Sequence, residues 1–237
     1  MKTILEFSGG KDSLACLYLL EPRWHEILVL WLNTGAALPE VVRFMAQIRA
    51  RVPHFLEVHG AQTIDTLGWP ADVVPTRETP LGKLSTGQWP KDSPVLFQSR
   101  FECCAAAIWH PMDEAVRQIG AEVVIRGQKL CDPMRSPIVD GQVVEGIRYE
   151  FPLAHWTDPE VERYLTERGI ATLAGFMPNS SLDCWNCTAY LDESGPKLQY
   201  LKRHHPEKYT TVQGVLRRLS KAVESESQVL ISLLEPA

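Results

Sequence analysis

The chain has 237 residues and a formal net charge of −5 at pH 7. This length allows one domain with a full hydrophobic core and a small extension. The acidic balance gives no overall basic surface for nucleic acid, and without a long apolar run we expect no membrane span. Six cysteines without a secretory leader favour a reducing compartment, so we expect a cytoplasmic protein whose thiols serve a metal or chemistry.

A glycine-rich loop follows the first predicted strand, residues 4–7. The apolar run over residues 14–20 predicts a helix directly after the loop. Glycines let backbone N–H groups approach an anion, and the N-terminus of a helix attracts negative charge. A lysine and two serine hydroxyls add further donors, so we predict a phosphate-binding loop. Its residues are Ser8, Gly9, Gly10, Lys11, Asp12 and Ser13.

Strands and helices alternate along the chain after this loop. A continuous apolar run predicts a strand covered on both faces at residues 27–32, and further strands are predicted at residues 55–58 and 122–125. Apolar stripes and capping residues predict helices from Pro39, from Glu102 to Ile119 and from Thr157 to Gly169. The alternation indicates an α/β fold, in which helices cover both faces of a parallel twisted sheet and ligands bind at the carboxyl ends of its strands.

Three segments carry more specific expectations. Residues 60–95 are rich in Pro, Gly and Thr, which predicts an extended functional loop. Pro111 is expected to interrupt the helix over 102–119 near its start. The Asp140-Gly141 pair predicts the turn of a hairpin within residues 139–149.

The C-terminal stretch is predicted to be an amphipathic helix. Apolar residues recur at helical spacing between Thr210 and Leu234. Such a helix would dock on the body of the protein or on a second copy, so a homodimer through it is one expectation. We therefore divide the chain into a nucleotide-binding domain with the cysteines, residues 1–190, and a helical extension, residues 191–237.

Two cysteine pairs form the second candidate site. They are Cys103-Cys104 and Cys184-x-x-Cys187, and the fold would have to bring them together. A C-x-x-C turn suits either zinc or an iron–sulfur cluster. Adjacent cysteines diverge, which favours a 4Fe-4S cluster over tetrahedral zinc, while buried cysteines without a metal remain a third possibility. Neighbouring side chains, Trp185, Asn186 and Thr188, would shield the sulfurs or donate hydrogen bonds to them.

The motifs resemble those of a known family. Residues 8–13 resemble the pyrophosphate loop, S-G-G-x-D-S, of the adenine nucleotide alpha-hydrolase superfamily. Five further stretches resemble, in order, motifs of the phosphoadenosine phosphosulfate reductase family, and the cysteine pattern is similar to that of the adenylyl-sulfate reductases. These stretches are residues 32–35 with 38–40, 102–104 with 111–112, 127–129 with 135–136, 152–157 with 161 and 164–165, and 184–188.

The resemblance implies a set of site residues. The loop would bind the phosphates of an adenine nucleotide together with Mg2+, and Lys11, Asp12 and Ser13 would act in catalysis. The purine and ribose side would be lined by Asn33, Thr34, Gly35, Arg126 and Gly127. A phosphate or an acceptor would be held by Lys129 and Arg135. The metal would be bound by Cys103, Cys104, Cys184 and Cys187.

The departures from the family's pattern favour ATP as the nucleotide. The catalytic cysteine of adenylyl-sulfate reductases lies in a C-terminal segment, whereas this chain has no cysteine after Cys187. Ala107-Ile108 stands where those reductases carry a basic pair, and the complete loop is that of ATP-using relatives. We therefore predict an enzyme of sulfur metabolism or sulfur transfer that binds ATP, acts at the α phosphate and carries a 4Fe-4S cluster.

Two other functions stay open. One is a reductase of adenylyl sulfate or phosphoadenylyl sulfate that produces sulfite, with Cys131 or a partner's thiol as nucleophile and a thioredoxin-like reductant. The other is a non-catalytic nucleotide-binding subunit of a sulfur-modification complex, which would work with a sulfur donor such as a cysteine desulfurase.

Overall fold

The structure is a computed structural model that describes residues 2–88, 96–133, 135–173 and 184–234. By its contacts the chain divides into two compact units. The first unit comprises residues 1–60 and 110–183, and the second comprises residues 61–109 and 184–237. These units are defined by contacts, whereas the predicted boundary at residue 190 follows the span of the family resemblance. That boundary stays a prediction.

The described strands and helices follow the predicted alternation. The strands are β1 (Thr3–Glu6), β2 (Ile27–Asn33), β3 (Phe55–His59), β4 (Trp69–Ala71), β5 (Phe97–Ser99), β6 (Val123–Ile125), β7 (Val143–Val144) and β8 (Ile147–Glu150). The helices are α1 (Lys11–Leu19), α2 (Pro39–Arg49), α3 (Ile64–Leu67), α4 (Pro80–Ser85), α5 (Arg100–Cys104), α6 (His110–Ile119), α7 (Asp158–Glu167), α8 (Ser194–His204) and α9 (Pro206–Leu234).

The first unit is built on a six-stranded sheet with the order β3-β2-β1-β6-β8-β7. All neighbouring strands run parallel except β7, which pairs with β8 in antiparallel register. Thr3 of β1 lies opposite Ile27 on one side and Val123 on the other. From β1 the chain adds β2 and β3 on one side of the sheet, and it later adds β6 on the other side of β1. The position between β1 and β6 is therefore a topological switch point, which is where ligands bind in open α/β sheets.

Apolar side chains bury this sheet. Ile4 and Val124 pack with Val116 of α6 and with Phe151 in one core cluster, and each of them is at most 4% exposed. The α1 helix buries Cys16, whose pKa burial raises to about 12. The Cys16 thiol is therefore a packed core residue. The predicted α/β fold, a parallel sheet with flanking helices, is confirmed.

The second unit contains a parallel pair of short strands, β4 and β5. Ala71 and Phe97 from these strands form a core with Val215 and Leu219 of α9. The last turns of α9 leave apolar side chains exposed, so the predicted amphipathic helix buries only its first half. The homodimer expected through this helix stays a prediction. None of the helices in the described ranges is long and apolar enough to cross a membrane.

One expectation about local structure is wrong. Residues 60–95 are not simply an extended loop, because α3, β4 and α4 lie within them, while residues 89–95 are outside the described ranges. The α-helix expected over residues 102–119 is interrupted near its start, by a π-helical segment, Ala105–Trp109, that lies between α5 and α6. Pro111 follows this segment in the first turn of α6.

The predicted hairpin forms, but its turn lies elsewhere. Glu145 and Gly146 connect β7 to β8 with φ of 50° and 83°, the left-handed conformation that tight hairpin turns require. The predicted turn at Asp140 and Gly141 also forms, closed by a 3.1 Å hydrogen bond from the N–H of Gln142 to the Val139 carbonyl, but it precedes β7 and does not connect the two strands.

Candidate functional site

The predicted phosphate-binding loop connects β1 to α1 at the switch point of the sheet. Gly9 has a φ of +81°, which L side chains rarely adopt, and Gly10 is the N-cap of α1. The Ser13 hydroxyl donates to the Gly10 carbonyl at 3.0 Å, and the Ser8 hydroxyl donates to Ser13 Oγ at 3.2 Å. The N–H groups in the first turn of any helix lack an intrahelical acceptor, so this loop presents donors to an anion.

The end of β6 lies directly against the first turn of α1. A Cβ atom at Gly127 would be 2.7 Å from the carbonyl carbon of Asp12 and 2.8 Å from the backbone nitrogen of Ser13. A glycine is therefore required here by close approach of two backbones. The structure thus brings Gly127 together with the loop, and its place on the purine and ribose side stays a prediction.

Lys129 follows this glycine and is almost completely buried, with 1% of its surface exposed. Its Nζ atom lies 2.7 Å from Oδ1 of Asp12, 2.9 Å from Oδ1 of Asp132 and 3.2 Å from Oδ1 of Asp158. Burial alone would lower the pKa of this lysine, but the hydrogen bonds to Asp12 and Asp132 raise it. Lys129 is therefore a permanent cation held by three carboxylates.

Lys11 of the loop belongs to the same network. Its Nζ atom lies 2.5 Å from Oδ1 of Asp158 and 3.3 Å from Oδ1 of Asp12. The hydrogen bond from Lys11 lowers the pKa of Asp158. Asp158 is the first residue of α7, where the side chain of Glu160 accepts hydrogen bonds from the backbone N–H and the hydroxyl of Thr157. The predicted N-cap Thr157 is confirmed, but sequence reasoning gave Asp158 no role at the loop.

The turn after β2 is organised by side chains. The Asn33 amide donates to Oε1 of Glu57 at 2.8 Å, and its Oδ1 atom accepts from the N–H of Gly35 at 2.9 Å. Thr34 is buried, and its hydroxyl oxygen accepts a 3.3 Å hydrogen bond from the N–H of Ala36. An ionised aspartate at position 33 could not donate to Glu57, which explains why this chain has asparagine there.

Arg126 is held at the carboxyl end of β6 by a fixed ion pair. Its Nε and NH2 atoms donate to the two carboxylate oxygens of Glu6 at 2.6 and 2.9 Å. The guanidinium also lies 5.1 Å from the ring centroid of Tyr149. The sequence identified Arg126 but not Glu6, whose position at the end of β1 becomes meaningful only once β1 and β6 are neighbours.

Arg135 lies beside a cavity of about 250 Å³ at this end of the unit. Its guanidinium is exposed and donates to the Leu130 carbonyl. Gln128 and Ser136 also line this cavity, and the Gln128 amide holds them together, because its Oε1 atom accepts a hydrogen bond of 2.9 Å from the N–H of Ser136. Lys129 also lines this cavity. A small acceptor would therefore meet one exposed cation here.

The four predicted metal ligands all lie in the second unit. Cys103 and Cys104 are on α5, and the turn of the C-x-x-C motif is closed by a 3.4 Å hydrogen bond from Cys187 N–H to the Cys184 carbonyl. Burial, together with the nearby Cys104 and Cys187, raises the pKa of Cys103 to about 11. The two pairs are thus brought into one neighbourhood. Among the described residues, however, no three His, Cys, Asp or Glu side chains are already positioned around a metal ion.

Hydrogen-bond donors surround these sulfurs, and most of them were not predicted. Gln62 Nε2 lies 3.1 Å from Cys184 Sγ, and Thr63 hydrogen-bonds Cys103, which lowers the pKa of that thiol. The Tyr190 hydroxyl lies 3.8 Å from Cys104 Sγ. Tyr190 has a φ of 59°, a strained conformation for a bulky residue that often marks a functional site.

The predicted neighbours of the C-x-x-C turn have indirect roles. Asn186 exchanges two hydrogen bonds with Gln62, of 2.8 and 3.1 Å, and so orients the amide that faces Cys184. Thr188 donates to the Pro70 carbonyl at 2.6 Å. The Nζ atom of Lys208 lies over the ring of Trp185, 4.8 Å from the ring centroid.

Comparison with known proteins gives the family. Residues 2–189 match the phosphoadenosine phosphosulfate reductase domain. A comparison with curated protein sequences finds no match.

Three solved structures resemble parts of the fold at low identity. Phosphoadenylyl-sulfate reductase from Candida auris, in a phosphate complex, is 14% identical over 73% of this chain and 76% of that chain, with a TM-score of 0.46. The U34-tRNA thiolase NcsA from Methanococcus maripaludis, with its 4Fe-4S cluster, is 16% identical over 93% and 72%, with a TM-score of 0.44. Yeast FAD synthetase in complex with FAD is 10% identical over 75% and 54%, with a TM-score of 0.41.

The family match extends over the phosphate-binding loop, the strands of the sheet and all four cysteines of the two pairs. Family membership rests on this match and not on the structural similarities. The chain belongs to the phosphoadenosine phosphosulfate reductase family.

Proposed function

We propose that this protein binds ATP at residues 8–13 and catalyses a reaction at the α phosphate. The observation that carries the proposal is the position of the loop: Gly9, Gly10 and the first turn of α1 lie at the switch point, against the end of β6. This is where an α/β sheet binds a nucleotide, and the helix N-terminus suits a phosphate. The complete loop, with Lys11 and both serines, favours ATP over adenylyl sulfate.

Cleavage between the α and β phosphates sets the demands on the site. An acceptor oxygen attacks the α phosphorus, and the bond from this phosphorus to the bridging oxygen breaks. The acceptor loses its proton and becomes an adenylate, while pyrophosphate leaves with the bridging oxygen. Lys11 and the first-turn N–H groups would stabilise the charge that grows on the departing pyrophosphate. The reaction therefore needs Lys11 to exchange its contact with Asp158 for one with phosphate.

Asp12 is the residue that would hold Mg2+. Its side chain is 30% exposed, and Lys11 and Lys129 hold its Oδ1 atom in place. A hard carboxylate oxygen suits Mg2+, and a bound Mg2+ would neutralise charge on the phosphates. Lys129 positions this carboxylate and is itself too buried to contact a phosphate, which makes Arg135 the better candidate for binding the acceptor.

We also propose that the four cysteines hold a 4Fe-4S cluster. The donor set fits, because thiolates are the usual ligands of such clusters and the two pairs share one neighbourhood in the second unit. The donors Gln62, Thr63 and Tyr190 fit as well, since hydrogen bonds to sulfur stabilise the thiolate form. When bound, the cluster would supply electron transfer or a fixed charge. A zinc ion on the same four thiolates is the alternative.

Sulfur transfer in the cytoplasm is the setting we propose, with a cysteine desulfurase or a thioredoxin-like protein as partner. Reduction of adenylyl sulfate is less well supported. Cys131 is exposed, but its thiol donates a hydrogen bond of 3.6 Å to the Trp156 carbonyl, which attack on a substrate would have to break.

The test combines binding with product identification. Anaerobically purified protein is titrated with MgATP by calorimetry, and the products of prolonged incubation are separated. We expect AMP and pyrophosphate, with water as the acceptor, and at least tenfold weaker binding in Lys11→Ala, since a charge-assisted contact contributes about 1.5–3 kcal/mol. Lys221→Ala, an exposed lysine of α9, is the matched control and should bind like wild type. ADP and phosphate as products, or equal affinity of Lys11→Ala and wild type, would overturn the proposal.

A further inference from the structure

Lys197 is a buried cation to which the proposed ATP chemistry assigns no role. It lies on α8, and only 4% of its surface is exposed. Its Nζ atom donates to the Cys187 carbonyl at 2.7 Å. Burial lowers the pKa of its ammonium group, and the nearby Cys187 and Cys184 raise it.

A lysine in this environment needs an anion. Removing an ammonium group from water is costly unless an opposite charge compensates, and a single carbonyl oxygen supplies only a dipole. Neutral thiols would compensate little, whereas a cysteine that binds a metal is deprotonated outright. Four thiolates carry four negative charges, which exceed the charge of either a zinc ion or a 4Fe-4S core. The centre that Cys103, Cys104, Cys184 and Cys187 would form is therefore anionic with either metal.

Two further contacts place the lysine beside this centre. Ser194, in the first turn of α8, donates to the carbonyls of Ala189 and Tyr190 at 3.2 and 2.9 Å, which fixes the helix to the segment after the C-x-x-C turn. Lys197 lies one turn further along the same helix and faces the turn itself. Gln62 and Tyr190 contact the sulfurs of Cys184 and Cys104, whereas Lys197 contacts the backbone carbonyl of Cys187.

We infer that Lys197 is the buried counter-cation of a metal–thiolate centre formed by the four cysteines, and that its charge stabilises the bound metal and favours the reduced state of an iron–sulfur cluster. This inference rests on the proposed metal site. Lys197 is a positioning residue, because it acts on the thiolates and touches no substrate.

The substitutions separate charge from hydrogen bonding. Lys197→Met removes both, Lys197→Gln keeps a donor for the Cys187 carbonyl without the charge, and Lys197→Arg keeps the charge. Lys202→Met is the matched control, because Lys202 is an exposed lysine of the same helix. Each variant is purified anaerobically as the full chain and analysed for iron, sulfide and zinc, and its midpoint potential is measured by dye-mediated titration.

We expect Lys197→Met and Lys197→Gln to shift the reduction equilibrium at least tenfold toward the oxidised cluster. For a one-electron couple this equals a potential about 59 mV lower. Both variants should also lose metal faster to a chelator, while Lys197→Arg and Lys202→Met should match wild type. If Lys197→Met does not fold, Lys197→Gln and Lys197→Arg alone decide, since they differ in charge.

The outcomes distinguish this inference from the proposed function. A wild-type cluster whose potential and retention are unchanged in Lys197→Gln would overturn the role of Lys197 and leave the cluster in place. Wild-type protein with zinc would disprove the cluster, and faster zinc loss from Lys197→Gln would still support the counter-cation. Wild-type protein without bound metal would overturn both.

Discussion

The Nζ atom of Lys129 lies 2.7 Å from Oδ1 of Asp12, and this contact ties the segment after β6 to the first turn of α1. Asp132 and Asp158 complete the surroundings of the same ammonium. Lys11 reaches Asp158 from the other side. The buried Lys129 thus orients the phosphate-binding loop through Asp12. Lys11, the lysine of the loop itself, is held by the exposed carboxylate of Asp158, which a phosphate can replace.

Lys129→Met should be strongly destabilising. The substitution keeps most of the side-chain volume but removes the one buried cation that all three carboxylates share, while Lys11 still contacts Asp12 and Asp158. Breaking a buried ion pair by removing one partner costs about 3–5 kcal/mol, so we expect a loss of this order in the free energy of unfolding, measured by urea denaturation. MgATP affinity should fall as well, because Asp12 loses the contact that orients it.

The control for this prediction is Lys2→Met. Lys2 pairs with Glu122 at the surface, where both side chains are more than half exposed, and such pairs contribute at most about 1 kcal/mol. Adding Asp12→Asn to Lys129→Met should restore part of the lost stability. Equal free energies of unfolding for Lys129→Met and Lys2→Met would show that the network around Lys129 does not contribute to stability.

Asp158→Asn should change how steeply the free energy of unfolding falls at acid pH. The hydrogen bond from Lys11 lowers the pKa of Asp158, so the folded state binds its proton less readily than the unfolded state does. This contribution to stability is complete above the pKa of the unfolded chain and is lost as the pH falls through the lower folded value, in the window below about pH 4. Wild type should therefore lose stability more steeply in this window than Asp158→Asn, measured by urea denaturation at successive pH values.

Lys11→Met provides the matching measurement. It removes the main cause of the lowered pKa, so its loss of stability at low pH should be less steep than that of wild type but steeper than that of Asp158→Asn, because Lys129 also lowers this pKa. The Asp158 carboxylate is 60% exposed, and added salt should reduce the difference from wild type. An Asp158→Asn curve as steep as that of wild type would assign the acid sensitivity to other groups.

The parts of the fold that the sequence predicts are those with a local signal. The apolar run of β2 has no polar face, which indicates a strand covered on both sides. Gly9 and Gly10 mark the loop because the backbone there needs a conformation that other residues avoid. The two cysteine pairs carry their own signature in spacing alone.

The missed contacts join residues that are far apart in the chain. Lys11 and Asp158 are separated by 147 positions, and Gln62 and Cys184 by 122, so no spacing rule connects them. The turn of the hairpin was misplaced for another reason. Asp140-Gly141 and Glu145-Gly146 both form a turn, and what decides is the pairing of β7 with β8, which exists only in the folded chain.

Cys131 should not act as a catalytic thiol. Its thiol donates a hydrogen bond to the Trp156 carbonyl at 3.6 Å, and attack of this sulfur on a substrate would have to break that contact. We expect no sulfite from adenylyl sulfate with a thioredoxin-like reductant, and unchanged MgATP affinity in Cys131→Ser, which still donates to that carbonyl. Sulfite formation that disappears in Cys131→Ser would instead identify a reductase with a displaced nucleophile.

Gly127→Ala tests how the loop is positioned. The added Cβ would lie 2.7 Å from the carbonyl carbon of Asp12, and backbone atoms cannot move aside as a flexible side chain would. The first turn of α1 must shift, at a cost of about 1–3 kcal/mol in unfolding free energy, and MgATP binding should weaken. Both are measured on the same preparation, by urea denaturation and calorimetry.

Gly214→Ala is the matched substitution, because a Cβ there meets nothing within 4 Å. Gly214 lies within α9, where alanine is favoured over glycine by about 0.5–1 kcal/mol, so this variant should be slightly more stable than wild type. If Gly127→Ala matched Gly214→Ala in stability and wild type in affinity, the approach of β6 to α1 would not be what sets the geometry of the phosphate-binding loop. Weakened binding in Gly127→Ala alone would show that the first turn of α1 must stay in place for the nucleotide to bind.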